Sequence, residues 1–133
     1  MNPKENKYTD DHEWIRLDGD AKWRVGLADY AQSQLGDLVF IELCEPGTQV
    51  TQFTKMGEIE SVKAVSDFNA PISGAVTAIN QDLIDNPQRA NEDPYGAGWF
   101  AVIEPSNPDE LVNLMDSQAY DAFAASLCCE DSE

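Results

Sequence analysis

Apolar and polar residues come in short runs through the first third of the chain, with the spacing of strands rather than helices. Trp14-Ile15-Arg16-Leu17 and Trp23-Arg24-Val25-Gly26-Leu27 flank Asp18-Gly19-Asp20, a strong turn signal, and predict a hairpin. Between Ala28 and Leu35 the period changes. Tyr30, Ala31, Gln34 and Leu35 recur at helical spacing, and Gly36 follows as a C-terminal stop. Leu38-Val39-Phe40-Ile41-Glu42-Leu43 then reads as a continuous strand, closed by Glu45-Pro46-Gly47.

The middle of the chain predicts a second hairpin. Gly57–Val62 and Val65–Ala70 read as strands, with Lys63-Ala64 between them. Pro71 and Ser73-Gly74 end that unit, and Ala75–Ile79 begins the next strand. Gly36-Asp37-Leu38-Val39 and Gly74-Ala75-Val76 open strands on either side of this hairpin, a weak sign of internal two-fold similarity. Asn86-Pro87 and the stretch Asn91–Gly98 predict a long turn-rich loop, and Trp99–Ile103 a closing strand. Asn107-Pro108-Asp109-Glu110 has the signature of a capped helix start. Leu111, Leu114 and Met115 share one helical face, and Tyr120, Phe123, Ala124 and Leu127 share another, with Ser117 as the expected cap of that second helix. Many short strands with Gly and Pro turns make a mainly β domain, a barrel or sandwich, with helices at its C-terminal end. Residues 1–127 read as one domain, and residues 128–133 as an acidic, disordered tail.

Charge narrows the function. The 133 residues carry 25 Asp and Glu against 8 Lys and Arg, for a net charge of −17. A field of that sign repels phosphate backbones and anionic lipid, so neither nucleic acid nor membrane is an expected partner. No apolar run is long enough to span a bilayer, and the N-terminus lacks a signal or transit pattern, so a cytoplasmic protein is expected. Three cysteines, two of them adjacent at Cys128-Cys129, do not make a disulfide framework. One histidine, His12, leaves no imidazole-rich metal site, and no metal is expected. Past Arg89 every charged residue is acidic, which gives either a solvated face or a docking surface for basic partners.

Lys63 is the oddest local feature. It stands at a predicted hairpin tip among Glu58, Glu60 and Asp67. Opposite charge holds an amine as the ammonium ion, which disfavours a free general base or Schiff-base nucleophile. A prominent lysine on a rigid turn beside small Ala64 suits a residue presented to another enzyme for modification; the plain alternative, which the residues alone favour, is an ordinary solvated turn lysine.

Several blocks occur in a telling order: Lys7-Tyr8-Thr9; Asp11-His12-Glu13-Trp14; Val25-Gly26-Leu27 with Asp29-Tyr30-Ala31-Gln32; and Gly36-Asp37-Leu38-Val39-Phe40-Ile41-Glu42-Leu43. Glu60-Ser61-Val62-Lys63-Ala64-Val65-Ser66-Asp67, Ala70-Pro71-Ile72-Ser73-Gly74 and Asn91-Glu92-Asp93-Pro94-Tyr95-Gly96 with Gly98-Trp99 complete the series. Together, over roughly Lys7 to Leu127, they resemble the H proteins of the glycine cleavage system. The resemblance implies a lipoyl/biotinyl-carrier-like fold, two small antiparallel sheets in a flattened barrel (a barrel-sandwich hybrid) with a short internal helix. It implies lipoate bound covalently to Lys63 and no catalytic residue of the chain's own. It implies a carrier that takes an aminomethyl group from the pyridoxal-phosphate glycine decarboxylase (P protein) and offers it to the tetrahydrofolate-dependent T protein. Dihydrolipoamide dehydrogenase (L protein) would then reoxidise it, and a lipoate ligase or lipoyl transferase would load it. A tethered group reaches several active sites at high effective concentration.

The resemblance also places Glu13 and Asp67 in a cleft that receives the loaded arm, where a carboxylate suits an ammonium group. Pro94-Tyr95-Gly96 is expected to support that cleft. His12 is expected as a structural hydrogen-bonding residue, and Trp14, Trp23 and Trp99 as packing residues. Cys44 stands where the family has proline, and Leu27-Ala28 replaces the commoner Ile-Thr. Cys44 is expected to be buried and inert, with Cys128 and Cys129 accessible. These departures keep an alternative open, an H-like lipoate carrier of a sulfur-oxidation system with a heterodisulfide-reductase-like complex. A plain acidic binding module without a prosthetic group is a third possibility.

Overall fold

The structure is a computed structural model. It describes residues 6–17 and 22–131; side chains at 32–34, at 108 and from 126 onward lie outside the described residues. The predicted turn Asp18-Gly19-Asp20 therefore falls outside them, as do Cys128 and Cys129 as side chains.

Nine strands make two antiparallel sheets. In chain order they are β1 (Lys7–Tyr8), β2 (Glu13–Leu17), β3 (Trp23–Leu27), β4 (Leu38–Leu43), β5 (Gln49–Val50), β6 (Lys55–Ser61), β7 (Val65–Asn69), β8 (Gly74–Ile79) and β9 (Ala101–Pro105). One sheet has the order β1-β2-β3-β9-β8-β5, the other β4-β6-β7. The two sheets that the resemblance implies are thus present, as open sheets rather than a closed barrel. The two Gly-led segments open β4 and β8, one in each sheet. The short helix α1 (Asp29–Leu35) lies between β3 and β4, as its period predicts. Gly36 ends it at φ 78°, a left-handed backbone that glycine adopts without a side-chain clash.

Inward positions of both sheets build one core. Ile15, Val25, Ile41, Ile59, Phe68, Ile72, Phe100 and Ile103 are all essentially inaccessible to solvent. Phe68 of β7 stacks on Phe100, with ring centroids 4.4 Å apart, so an aromatic pair bridges the sheets. A second cluster gathers Tyr8, Trp14, Ala28 and Tyr120. Tyr8 and Tyr120 stack at 4.6 Å and 10°. Trp14 is fully buried, as a packing residue should be, and its Nε1 donates to the Pro94 carbonyl at 3.0 Å. Trp23 and Trp99 are half-buried, and the Arg24 guanidinium lies over the Trp99 ring.

The C-terminal third departs from its sequence pattern. The segment after β8 holds two short helices, α2 (Gln81–Asp85) ahead of the predicted loop and α3 (Arg89–Glu92) inside it. Asn80 caps α2 by accepting from the Leu83 N–H, and the segments are too short for periodicity to show them. The closing strand is β9, shifted toward the C-terminus from the expected span. Pro108–Asn113 forms a 3₁₀ helix, and Asn107 makes no side-chain cap bond. The last helix, α4 (Ser117–Asp131), is capped by Asp116, whose Oδ1 accepts from the Ala119 N–H at 2.8 Å; Ser117 is its first residue. Its backbone runs past residue 127, where the sequence placed the domain end.

Among the described residues, two non-glycine residues have positive φ, His12 at 69° and Phe53 at 66°. Such a backbone costs on the order of 1–3 kcal/mol per residue. Both occupy turn positions where glycine or asparagine is usual.

Candidate functional site

The β6–β7 hairpin presents Lys63. Glu60 pairs with Val65 and Ile59 with Ser66, so residues 61–64 form the tip. Ser61 organises it. Its backbone N–H donates to the Ala64 carbonyl at 2.8 Å, and its Oγ accepts from the N–H groups of Lys63 and Ala64, each at 3.1 Å. The same hydroxyl is 3.2 Å from the Ala64 carbonyl. One side chain thus replaces a turn carbonyl and closes the loop around Val62 and Lys63. The tip is also anchored to the start of the neighbouring strand β4, because the Val62 N–H donates to the Asp37 carbonyl at 3.1 Å. Val62, Lys63, Ala64 and Val65 are all exposed. The Lys63 stem passes over Gly36, where a Cβ would lie 3.6 Å from Cε. Lys63 is therefore held by its backbone and open at its amine.

A cleft of about 140 Å³ lies beside this hairpin. Leu27, Ala31, Leu35 and Ile59 make its apolar wall; Asp11, His12, Ser66 and Asp67 make its polar wall. Asp67, which the resemblance places in an arm cleft, lies on that polar wall. Glu13 does not line the cleft: it is 1% exposed and lies behind that wall. The Thr9 Oγ1 donates to Glu13 Oε1 at 2.7 Å, and the Asn69 N–H donates to Oε2 at 3.2 Å. Asn69 also donates from Nδ2 to Asp11 Oδ2 at 3.1 Å. Glu13 thus reaches the cleft through Asn69 and Asp11. Burial pushes its carboxyl up to about 8; the bonds from Thr9 and Asn69 oppose that, and Asp11 and Asp10 add to it.

His12 and Asp11 join the site from outside the expected pair. They belong to a hairpin turn between β1 and β2, in which the His12 N–H donates to the Thr9 carbonyl at 3.1 Å and the Thr9 N–H to the Glu13 carbonyl at 2.9 Å. A turn followed by a left-handed residue is a common three-residue hairpin connection, usually with glycine in the last place. Here that place is His12. Its carbonyl accepts from the Ala28 N–H at 2.7 Å, and its Nδ1 lies 2.8 Å from the Tyr120 hydroxyl. His12 is thus the hydrogen-bonding structural residue the sequence suggested, and it also faces the cleft. Burial lowers its pKa, against the pull of Asp11 and Asp10. Burial raises the pKa of the Tyr120 hydroxyl, and that of Tyr95 is pushed up to about 12. The Tyr95 hydroxyl accepts from the Asp29 N–H at 2.9 Å, so the Pro94-Tyr95-Gly96 loop holds the start of α1, one wall of the cleft.

The outer face of the small sheet is acidic in rows. Glu42, Glu58 and Asp67 lie directly opposite one another across β4, β6 and β7. Like charges opposite one another destabilise a sheet. Lys55 offsets part of this, with Nζ 2.7 Å from Glu58 Oε2 and 3.5 Å from Asp67 Oδ1. The next row toward the tip is Phe40, Glu60 and Val65, with Phe40 and Val65 about half or more exposed. Cys44 is half-buried rather than fully buried, and burial raises its thiol pKa. Among the described residues no group of three or more His, Cys, Asp or Glu could hold a metal, and no helix is long and apolar enough to cross a membrane.

Two small open sheets and a lysine held at a hairpin tip beside an apolar-and-acidic cleft are the frame of a carrier domain. Comparison with known proteins agrees. The family profile described as Glycine cleavage H-protein matches residues 6–126. The glycine cleavage system H protein of Geobacillus thermodenitrificans is 49% identical over 121 residues, which is 91% of this chain and 94% of that protein. That of Mycobacterium avium is 49% identical over 122 residues, 89% of this chain and 92% of the other. A crystal structure of the H protein from Mycobacterium marinum superposes with a TM-score of 0.84 at 37% identity, covering 93% of this chain and 99% of that one. The chain belongs to the glycine cleavage H-protein family.

Proposed function

We propose that the chain is the lipoyl carrier of a glycine cleavage system, with the group attached to Lys63. The observation that carries this is the tip geometry: a lysine with its backbone fixed by Ser61 and its amine open to solvent. Bound as an amide on that lysine, a lipoyl group supplies a dithiolane that accepts an aminomethyl group. The residues present fit such an arm. Leu27, Ala31, Leu35 and Ile59 offer carbon surface to its chain, and Asp67 and Asp11 offer carboxylates to an ammonium group at its end. Glu13 supports that wall from behind and holds Asn69 in place. The chain itself catalyses nothing. It receives the aminomethyl group from the glycine decarboxylase (P protein) and shields it in the cleft. It then gives the group to the aminomethyltransferase (T protein) and is reoxidised by dihydrolipoamide dehydrogenase (L protein). A lipoate ligase or lipoyl transferase loads it. The acidic row Glu42, Glu58 and Asp67 on the small sheet, with Glu60 beside it, steers basic partner surfaces toward Lys63 at low ionic strength.

The relatives described above are glycine cleavage H proteins, and no observation favours the sulfur-oxidation alternative. The test is Lys63→Arg in a reconstituted assay. Arginine keeps the charge and cannot form the amide. The variant is expected to fold with an unchanged melting curve, to gain no lipoyl mass on incubation with ligase, ATP and lipoate, and to support no turnover. Turnover by that variant would end the swinging-arm assignment.

A further inference from the structure

A groove of about 610 Å³ shares Asp11 with the arm cleft. Asp10, Asp11, Phe53, Asn113, Met115 and Phe123 line it. Its carbon surface comes from Phe53, Met115 and Phe123, and its charge from the two aspartates. No lysine, arginine or histidine is among the lining residues. Phe53 is the telling member. It occupies the turn Thr51–Thr54, closed by the Thr54 N–H to the Thr51 carbonyl at 3.0 Å, at a φ that suits glycine or asparagine. Yet the residue is a phenylalanine, and it is 44% exposed. Neither the turn nor the core needs an aromatic side chain there.

We propose that this groove docks a partner segment in which an arginine or lysine adjoins an apolar side chain, and that the partner is the enzyme that accepts the aminomethyl group. An arginine has the matching shape: an aliphatic stem and planar cation for Phe53 and Phe123, and charge for Asp10 and Asp11. The position selects the enzyme. Asp11 lines both hollows and is bonded by Asn69, whose N–H also bonds buried Glu13. A segment seated against Asp11 therefore acts on the wall of the cleft from which the accepting enzyme must draw the loaded arm. The assignment rests on the carrier function proposed above.

Two variants test it without touching the cleft: Asp10→Asn, which keeps the hydrogen-bond acceptor, and Phe53→Asn, which suits the left-handed backbone. Lipoylated wild-type chain and both variants are immobilised, and binding of isolated aminomethyltransferase and of isolated glycine decarboxylase is measured at low and high salt. Each variant is expected to lose about five- to tenfold in affinity for the aminomethyltransferase and to keep its affinity for the decarboxylase, with Asp10→Asn melting as wild type does and Phe53→Asn no lower. Asp10→Asn should also show a shallower salt dependence. Unchanged affinity for the aminomethyltransferase, or an equal loss for both enzymes, overturns the docking assignment alone. A wild-type chain that binds neither enzyme overturns the carrier function with it.

Discussion

Two turns frame the candidate site, and they are held in opposite ways. The Ser61–Ala64 tip is fixed chiefly by bonds inside its own four residues, with one anchor to Asp37. It is exposed, and its key residue runs its stem over Gly36 with the amine open to solvent. The Thr9–Glu13 turn is fixed from a distance: Tyr120 meets His12, Asn69 meets Glu13 and Asp11, and Ala28 meets the His12 carbonyl. Its ends, Thr9 and Glu13, are buried, Asp10 and Asp11 are exposed, and it carries a histidine in a glycine's place. In the proposed carrier, the difference follows the work each turn does. A residue offered to other enzymes needs a rigid, self-contained mount that stays folded when the partner leaves. A wall that receives and releases a charged arm has to be tied to the elements that sense it.

The contrast can be broken first at Lys63, where Lys63→Arg should remove all turnover and leave stability alone. Next in size is Glu13. Its pKa is raised from 4.5 to about 8, so between those values the native state keeps a proton that the unfolded chain has released. The unfolded state then binds fewer protons, and stability falls as pH rises through this window, reaching a plateau above it. The full drop comes to roughly 5 kcal/mol, because each pH unit between the two values contributes about 1.4 kcal/mol. Glu13→Gln cannot ionise. Its carbonyl still accepts from the Asn69 N–H, and its amide can face the Thr9 hydroxyl. Urea unfolding of the two proteins across the window should give nearly equal stability at pH 4.5 and a more stable variant above pH 8. Parallel curves with no divergence would mean that Glu13 is ionised and solvated, and that the Thr9–Glu13 turn is not tied from a distance at a buried end.

How much can be read from sequence divides along the same line. The hairpin is legible because its determinants are local: strand residues on both sides, small Ala64, and a lysine between them. The family resemblance adds the identity of the attached group. The cleft is half legible. Asp67 falls where expected, because β7 follows directly from the hairpin. Glu13 is expected on the surface of the cleft, whereas the contacts that bury it come from Thr9 and from Asn69, 56 residues away. His12 and Asp11 as lining residues depend on a positive φ that a histidine does not advertise and on a bond to Tyr120, 108 residues away. The short helices α2 and α3 and the 3₁₀ segment span at most six residues each, below the length at which a helical period is distinguishable from a loop.

A smaller effect probes the exposed turn. Ser61 is 7% exposed, and its hydroxyl accepts from two backbone N–H groups at the tip. Ser61→Ala leaves those donors without this partner at a cost of about 1–2 kcal/mol, and it frees the segment that presents Lys63. The expected signature is a modest drop in melting temperature together with a severalfold slower rate of lipoyl attachment, followed by intact mass. A slower rate with no loss of stability would place Ser61 in contact with the attaching enzyme instead. Loss of stability with an unchanged rate would show that the tip need not be rigid.

The smallest effect is expected at Tyr120→Phe, which sharpens the contrast because it touches the receiving turn alone. Phenylalanine keeps the stack on Tyr8, whose ring lies 4.6 Å away, and the contact with Phe123, and removes the hydroxyl 2.8 Å from His12 Nδ1. A single partly buried hydrogen bond of this kind contributes about 1 kcal/mol. Without it, His12 is held at its left-handed φ by its backbone bonds to Thr9 and Ala28. The imidazole then gains freedom to turn within the cleft wall. Urea unfolding should report the loss of about 1 kcal/mol. The imidazole C–H resonances of His12, the chain's one histidine, should broaden or shift on the variant, while amide resonances of residues 61–64 stay in place. Equal shifts at the hairpin tip would mean that the two turns are coupled and that the distinction between a self-contained mount and a tied wall does not hold.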